Sequence, residues 1–330
     1  MITQTRNNII KYIKTRKQAR VHDLVNEFGL SNVAIHKQLR LLLQENVLKK
    51  VGKPPLVFYT LAKEQEKLYV DLPKKEKEAI EANYLYISPQ GELLYGLRGF
   101  IRWVLAIKEE KKLPHLAAEY VETLNKIKKY KNTNDFIDAT EKIKATFSKV
   151  YLDKLLYADF FSLPKFGKTK LGQLVLYAKQ SQNKKLIKNL GSLCRPLIKK
   201  IIDMYAIDTV SFIPPTVPRK TQFMNEFALN LRLNTPLIEL VKSYSGEVIV
   251  AQKTLARLEE RIENARSTIY LKHNAENSFP NVLLIDDAAG SGSTFNETAR
   301  KMKSVMIGKK SIIAFSIVGS FKGFDVIREV

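Results

Sequence analysis

Val282 to Thr294 reads VLLIDDAAGSGST, and the rest of the chain is best read outward from it. Four apolar residues, Val282 to Ile285, fit a strand buried on both faces, as in a parallel sheet covered by helices. Asp286 and Asp287 close the run, and a loop of small residues then leads into a helix over Phe295 to Met302. Gly290 and Gly292 let backbone amides turn inward, Ser291, Ser293 and Thr294 add hydroxyls, and the helix N-terminus behind them favours an anion. With Ala288 and Ala289 the string predicts a cup for a phosphate. Carboxylates accept hydrogen bonds from ribose hydroxyls, so Asp286 and Asp287 suit the diol of the same ligand. One site can therefore take a ribose 5-phosphate.

The chain has 330 residues, beyond the roughly 250 to 300 at which a single core stops growing, so two domains, or two and a connector, are expected. Hydrophobic residues make up 45% and charged residues 27%, which excludes wholesale disorder and collagen-like or low-complexity chains. Fifty-five Lys and Arg face 33 Asp and Glu, for a formal net charge of +22. That is far more than solubility requires and points to a polyanionic partner. Cys194 stands alone, so neither an intramolecular disulfide nor a cysteine zinc cluster can form, and a reducing compartment fits. Met1 to Asn8 lacks an apolar signal core, and no stretch approaches the roughly 20 apolar residues of a membrane span. A cytoplasmic protein without membrane contact is expected.

Charge is densest at the front. Residues 1–62 carry 11 basic and 3 acidic side chains, against 17 and 14 in residues 63–150 and 27 and 16 in residues 151–330. Ile9, Ile10 and Ile13 recur at helical spacing, Val21, Leu24, Val25 and Phe28 form a second amphipathic run, and Gly29 breaks it. Ser31 can cap a third helix with an apolar stripe at Ile35, Leu39 and Leu42, which exposes Asn32, His36, Lys37 and Arg40. Val25, Gly29 and Ile35 are spaced as two helices crossing through a tight turn require. Asn46 suits a left-handed helix end, and Val47–Val51 and Leu56–Leu61 read as strands around Gly52-Lys53-Pro54-Pro55. Residues 5–62 resemble the winged-helix DNA-binding domains of bacterial and archaeal transcription regulators. The resemblance implies that Ser31, Asn32, His36, Lys37, Arg40 and Lys53 meet DNA. A winged helix used for protein contacts is the alternative, and the local charge weighs against it.

Residues 63–150 read as mainly helical, with lysine-rich stretches that suit solvated faces. Tyr84 to Trp103 packs aromatics and Gly91, Gly96 and Gly99 into twenty residues, predicting a hairpin followed by a helix. Leu97, Phe100 and Trp103 sit at helical spacing, as a packing or dimer-contact element would. A regulator on a two-fold operator needs a homodimer, and this connector is a natural place for it.

The string from Asp286 to Thr294 resembles the ribose-phosphate signature of type I phosphoribosyltransferases. By that resemblance Asp286 and Asp287 hold the hydroxyls of phosphoribosyl pyrophosphate, and Ala289 to Thr294 cradle the 5-phosphate. Gln252, Leu255, Glu260, Arg261 and Asn264 are similar to the flexible loop of ComF-like phosphoribosyltransferases, a group associated with DNA uptake. Val210 to Asn225, VSFIPPTVPRKTQFMN, is similar to that family's strand and Pro-rich pyrophosphate loop, which makes Arg219 and Lys220 the cations for pyrophosphate. Lys179 matches the family's lysine after its first strand and reads equally well as a surface helix lysine. The resemblance covers about residues 150–330 and lacks the family's four-cysteine zinc ribbon. Gly290 stands where many transferases have Thr and 6-oxopurine transferases an Asp base, and Gln222 stands where an Arg is usual. Binding is therefore better preserved than turnover.

The expected fold is α/β: a winged helix over residues 1–62, a helical connector over 63–150, and a parallel sheet flanked by helices over 151–330. The expected function is transcription regulation by DNA binding, with phosphoribosyl pyrophosphate or a related nucleotide as ligand. The alternatives are an active transferase acting on an amine or nucleobase, and a ComF-like accessory of DNA uptake or recombination. Magnesium is expected to accompany a pyrophosphate ligand, with no direct protein ligand assigned.

Overall fold

The computed structural model describes residues 2–62, 71–272, 280–305 and 311–321. The chain divides into two compact units, Met1–Tyr69 and Val70–Val330.

The first unit runs α1 (Ile2–Arg16), α2 (Val21–Phe28), α3 (Asn32–Gln44), β1 (Leu48–Lys53) and β2 (Leu56–Leu61). Gly29, at φ +62°, ends α2 by donating its N–H to the Val25 carbonyl, and Ser31 caps α3 by accepting the Ala34 N–H at 3.2 Å. Ile9, Ile13, Leu24, Ile35, Leu39, Leu42, Leu48 and Tyr59 form the core, so the apolar stripes read from the sequence face inward together. The first strand runs two residues further than expected, through Gly52 and Lys53, because the pairing continues to Lys53↔Leu56. Gly52, at φ +89°, permits this: a Cβ there would lie 2.2 Å from the Leu56 carbonyl oxygen.

The second unit opens with α4 (Lys74–Asn83), the hairpin β3 (Leu85–Ile87) and β4 (Leu93–Tyr95), α5 (Gly96–Ala106), α6 (Leu113–Lys128), β5 (Ile137–Asp138) and α7 (Thr140–Thr146). It continues with β6 (Lys154–Phe160), the short pair β7 (Ser162–Leu163) and β8 (Gly167–Lys168), α8 (Lys170–Ser181), α9 (Lys184–Met204), β9 (Thr209–Phe212) and α10 (Phe223–Leu231). The last elements are β10 (Leu240–Lys242), α11 (Leu258–Thr268), β11 (Ile269–Leu271), β12 (Asn281–Ala289), α12 (Ser293–Val305) and β13 (Ser311–Gly319).

Five strands form the central sheet in the order β5-β6-β13-β12-β9, parallel except for the short antiparallel edge β5. Alternate residues of β12 enter two cores. Val282 and Leu284 face one core with Phe295 and Met302, while Leu283 and Ile285 face another with Cys194 and Phe227. Helices on both faces explain the unbroken apolar run before Asp286. Cys194 is fully buried, and burial pushes its thiol up to about 12, in keeping with a small core residue.

Residues 71–150 do not form a connector of their own. Leu72, Ile80, Phe100, Leu116, Tyr120 and Ile143 share a core with Leu155, Tyr157 and Leu284, and β5 adds directly to the sheet edge. The expected hairpin and helix lie in Tyr84–Trp103, where Tyr84, Phe100 and Trp103 pack with Tyr120 and Phe166 at centroid distances of 5.0 to 6.1 Å. Among the described residues, no helix is long and apolar enough to cross a membrane.

Candidate functional site

Strand β12 delivers its two acids at the carboxyl edge of the sheet, and only Gly290, Ser291 and Gly292 separate it from α12. Gly292 takes φ +84°, and a Cβ there would approach Ile143 Cδ1 to 3.0 Å. A Cβ on Gly290 would meet nothing within 4 Å, so that side of the loop is open. Ser291 donates to the Ser293 hydroxyl at 3.1 Å and accepts the Ser293 N–H at 3.3 Å, which ties the bend with its own hydroxyls. Asn296 anchors the helix behind it, accepting the Tyr151 N–H at 2.8 Å and donating to the Lys149 carbonyl at 3.0 Å. The N–H groups of the first turn of α12 have no preceding helical carbonyl to meet, which leaves this end suited to an anion. Ala288 and Thr294 are accessible, while Ala289 is buried and its carbonyl accepts the Ser320 N–H at 2.9 Å.

Strand alternation starts Asp286 and Asp287 on opposite sides of β12, but at the end of the strand their carboxyls come within hydrogen-bonding reach of each other. Asp287 is buried and pairs with Lys179 Nζ of α8 at 2.5 Å. Burial alone would lower the Lys179 ammonium, but the Asp287 carboxylate, with Asp286 behind it, holds it above its ordinary value. Asp286 accepts the Asp287 N–H at 2.8 Å. Desolvation and the neighbouring Asp287 push its carboxyl well above the ordinary range. The loop between β9 and α10 brings Arg219 to the same place, where its guanidinium donates to the Lys179 carbonyl at 2.5 Å.

Other expected residues lie elsewhere. Lys220 is exposed and bonds to none of the described residues. Gln252 donates to the Arg261 carbonyl at 2.9 Å, Arg261 to the Leu255 carbonyl at 2.9 Å, and Asn264 to the Val250 carbonyl at 3.4 Å. These three tie their own segment together and do not reach the aspartates through any bond described. In the first unit, Asn32, His36, Lys37, Arg40 and Lys53 are exposed. Ser31 is exposed too, but its hydroxyl is committed to the helix cap.

One residue at the site carries no local sequence signal. Lys242, at the end of β10, donates to the Thr216 hydroxyl at 2.8 Å. Burial lowers its ammonium to about 8, and the Asp286 charge opposes that shift. Two cations, Lys179 and Lys242, thus lie within charge range of the carboxylates, and Arg219 joins them through the Lys179 main chain beside the loop. A further surface feature is Val33 on α3, 79% exposed between Asn32 and His36.

Comparison with protein-family models gives no match, and comparison with curated protein sequences gives none. Among solved structures, the chain is similar to a hypoxanthine phosphoribosyltransferase from Staphylococcus aureus. The identity is 13% and the TM-score 0.23, over 40% of this chain and 63% of that one. The chain thus spans less than two thirds of the enzyme it matches.

Proposed function

We propose that the second unit binds phosphoribosyl pyrophosphate or a related nucleotide, and that the first unit is a winged helix that binds DNA under control of that ligand. The observation that carries the reading is the Gly290–Gly292 bend between the paired aspartates and the N-terminus of α12. The bend and the helix end meet the 5-phosphate, and the carboxylates accept the ribose hydroxyls. Lys179, Arg219 and Lys242 supply the charge that a diphosphate needs. Lys179 neutralises Asp287 through their ion pair. A ribose diol would compete for that carboxylate and free the ammonium for phosphate.

Magnesium suits this donor set as the partner of the diphosphate, with Asp286 and Asp287 as the available carboxylates; when bound, it neutralises adjacent phosphate charge. Among the described residues no group of three or more His, Cys, Asp or Glu side chains gathers to hold a metal by protein ligands alone. The loop offers no carboxylate as a base, which favours sensing over turnover. In the first unit, the exposed polar and cationic face of α3 suits a DNA groove, and Val33 suits the methyl group of thymine.

Electrophoretic shift on fragments of the surrounding genomic DNA, with and without phosphoribosyl pyrophosphate and magnesium, tests the reading. A discrete shifted complex whose affinity changes about five- to 150-fold with ligand is expected, the range of ordinary site coupling. Pyrophosphate release with a panel of nucleobases would instead establish the transferase.

A further inference from the structure

Away from the aspartate pair, the second unit holds a cavity of about 290 Å³ at the end of β6, walled by Leu171 of α8 and by Leu193 and Leu197 of α9. Asp159, Tyr120 and Lys131 line it as well. Asp159 accepts the Phe160 N–H with one carboxylate oxygen at 2.8 Å, and its other oxygen has no hydrogen-bond partner among the described residues. Burial raises this carboxyl, and the Lys131 charge offsets the rise only in part. Lys131 makes no ion pair with Asp159 or with any other described residue. The Tyr120 hydroxyl lies close enough to feel the Asp159 charge, yet it too has no hydrogen-bond partner among the described residues. The remaining polar groups around the cavity are occupied or peripheral. Lys170, Asn83 and Thr169 donate to main-chain carbonyls, and Asp135 is exposed.

A free acceptor oxygen, a hydroxyl and a cation thus line an apolar cavity at the small end of the range for ligand pockets. Solvent can reach all three groups, so a ligand that displaces it has to pair each of them to avoid leaving a desolvated polar group unmatched. We propose that this cavity binds a free α-amino acid with an apolar side chain. Its ammonium pairs with Asp159 and the Tyr120 hydroxyl, its carboxylate with Lys131, and its side chain lies against Leu193 and Leu197. A bare amine would leave Lys131 unmatched, a simple anion would oppose Asp159, and a hydrocarbon would satisfy none of the three. The proposal stands apart from the ribose-phosphate and DNA readings and requires neither.

Calorimetric titration of the full chain with leucine, valine, methionine and phenylalanine tests it, with glutamate, spermidine, adenine and hypoxanthine as contrasts. At least one apolar amino acid binds and the contrasts do not. Asp159→Asn, which keeps the shape of the side chain, and Lys131→Met each weaken that binding at least tenfold. Melting temperatures establish that the variants fold, and Lys131→Met at a half-buried position decides the matter should Asp159→Asn fail to fold. No binding of any amino acid, tighter binding of a nucleobase or polyamine, or an amino-acid affinity unmoved by the folded variants would overturn the proposal.

Discussion

Asp286 is a residue whose placement works against stability. Its carboxyl is raised in the folded unit by burial and by Asp287, so its contribution to stability is complete below its ordinary value of 3.8 and is lost as pH rises through the raised value. Asp286→Asn cannot ionise, and it is expected to raise the melting temperature at pH 7, with the gain vanishing as the pH falls below about 4. Each unit by which the value is raised is worth about 1.4 kcal/mol. Calorimetric scans across that pH range check the sign. On the proposed function the same variant gives up a carboxylate oxygen for a ribose hydroxyl and is expected to weaken ligand binding, an exchange of stability for function. Lys179 marks the limit of reading at this scale. Within LGQLVLYAKQ it is a helix lysine like many others, and only the 2.5 Å contact with Asp287, 108 residues away, gives it a place at the site.

At the scale of elements, the bend between β12 and α12 separates backbone need from ligand need. Gly292→Ala forces a side chain into a left-handed backbone against Ile143 and is expected to destabilise the second unit by about 1 to 2 kcal/mol. Gly290→Ala meets open space and is expected to leave stability within about 0.5 kcal/mol while obstructing the anion. Urea unfolding and ligand titration of the two variants distinguish the effects. On α3, Ser31→Ala removes the cap on the Ala34 N–H and costs the first unit about 1 kcal/mol, measurable by the same unfolding. The bend was legible because its chemistry is contiguous in the chain. Lys242 was not, because it sits on a three-residue strand and reaches Thr216 and the aspartates only through tertiary packing. Gln252, Arg261 and Asn264 bond within their own segment, so their expected part in a ligand loop has no counterpart in a contact with the aspartates.

For the whole molecule, the sequence divides the chain at the change in charge and pattern after residue 62, and the first unit ends at Tyr69. The division expected at residue 150 has no counterpart, because residues 71–150 bury their apolar faces against the sheet. That packing was hidden in the sequence: Ile137–Asp138 is only two residues long, too short for any period, and the apolar faces of α4 to α6 do not reveal what they cover. Two separate units predict separable losses. Lys37→Ala with Arg40→Ala is expected to weaken DNA binding and reduce its dependence on salt by up to about two counter-ions, while ligand affinity is unchanged. A salt series of shift assays beside calorimetry measures both. The ribose-phosphate assignment itself stands or falls on one titration: phosphoribosyl pyrophosphate with magnesium into the native chain and into Asp287→Asn. One binding event per native chain, weakened at least tenfold in the variant, is the predicted result; no binding by the native chain, or equal affinity in the two, would contradict it.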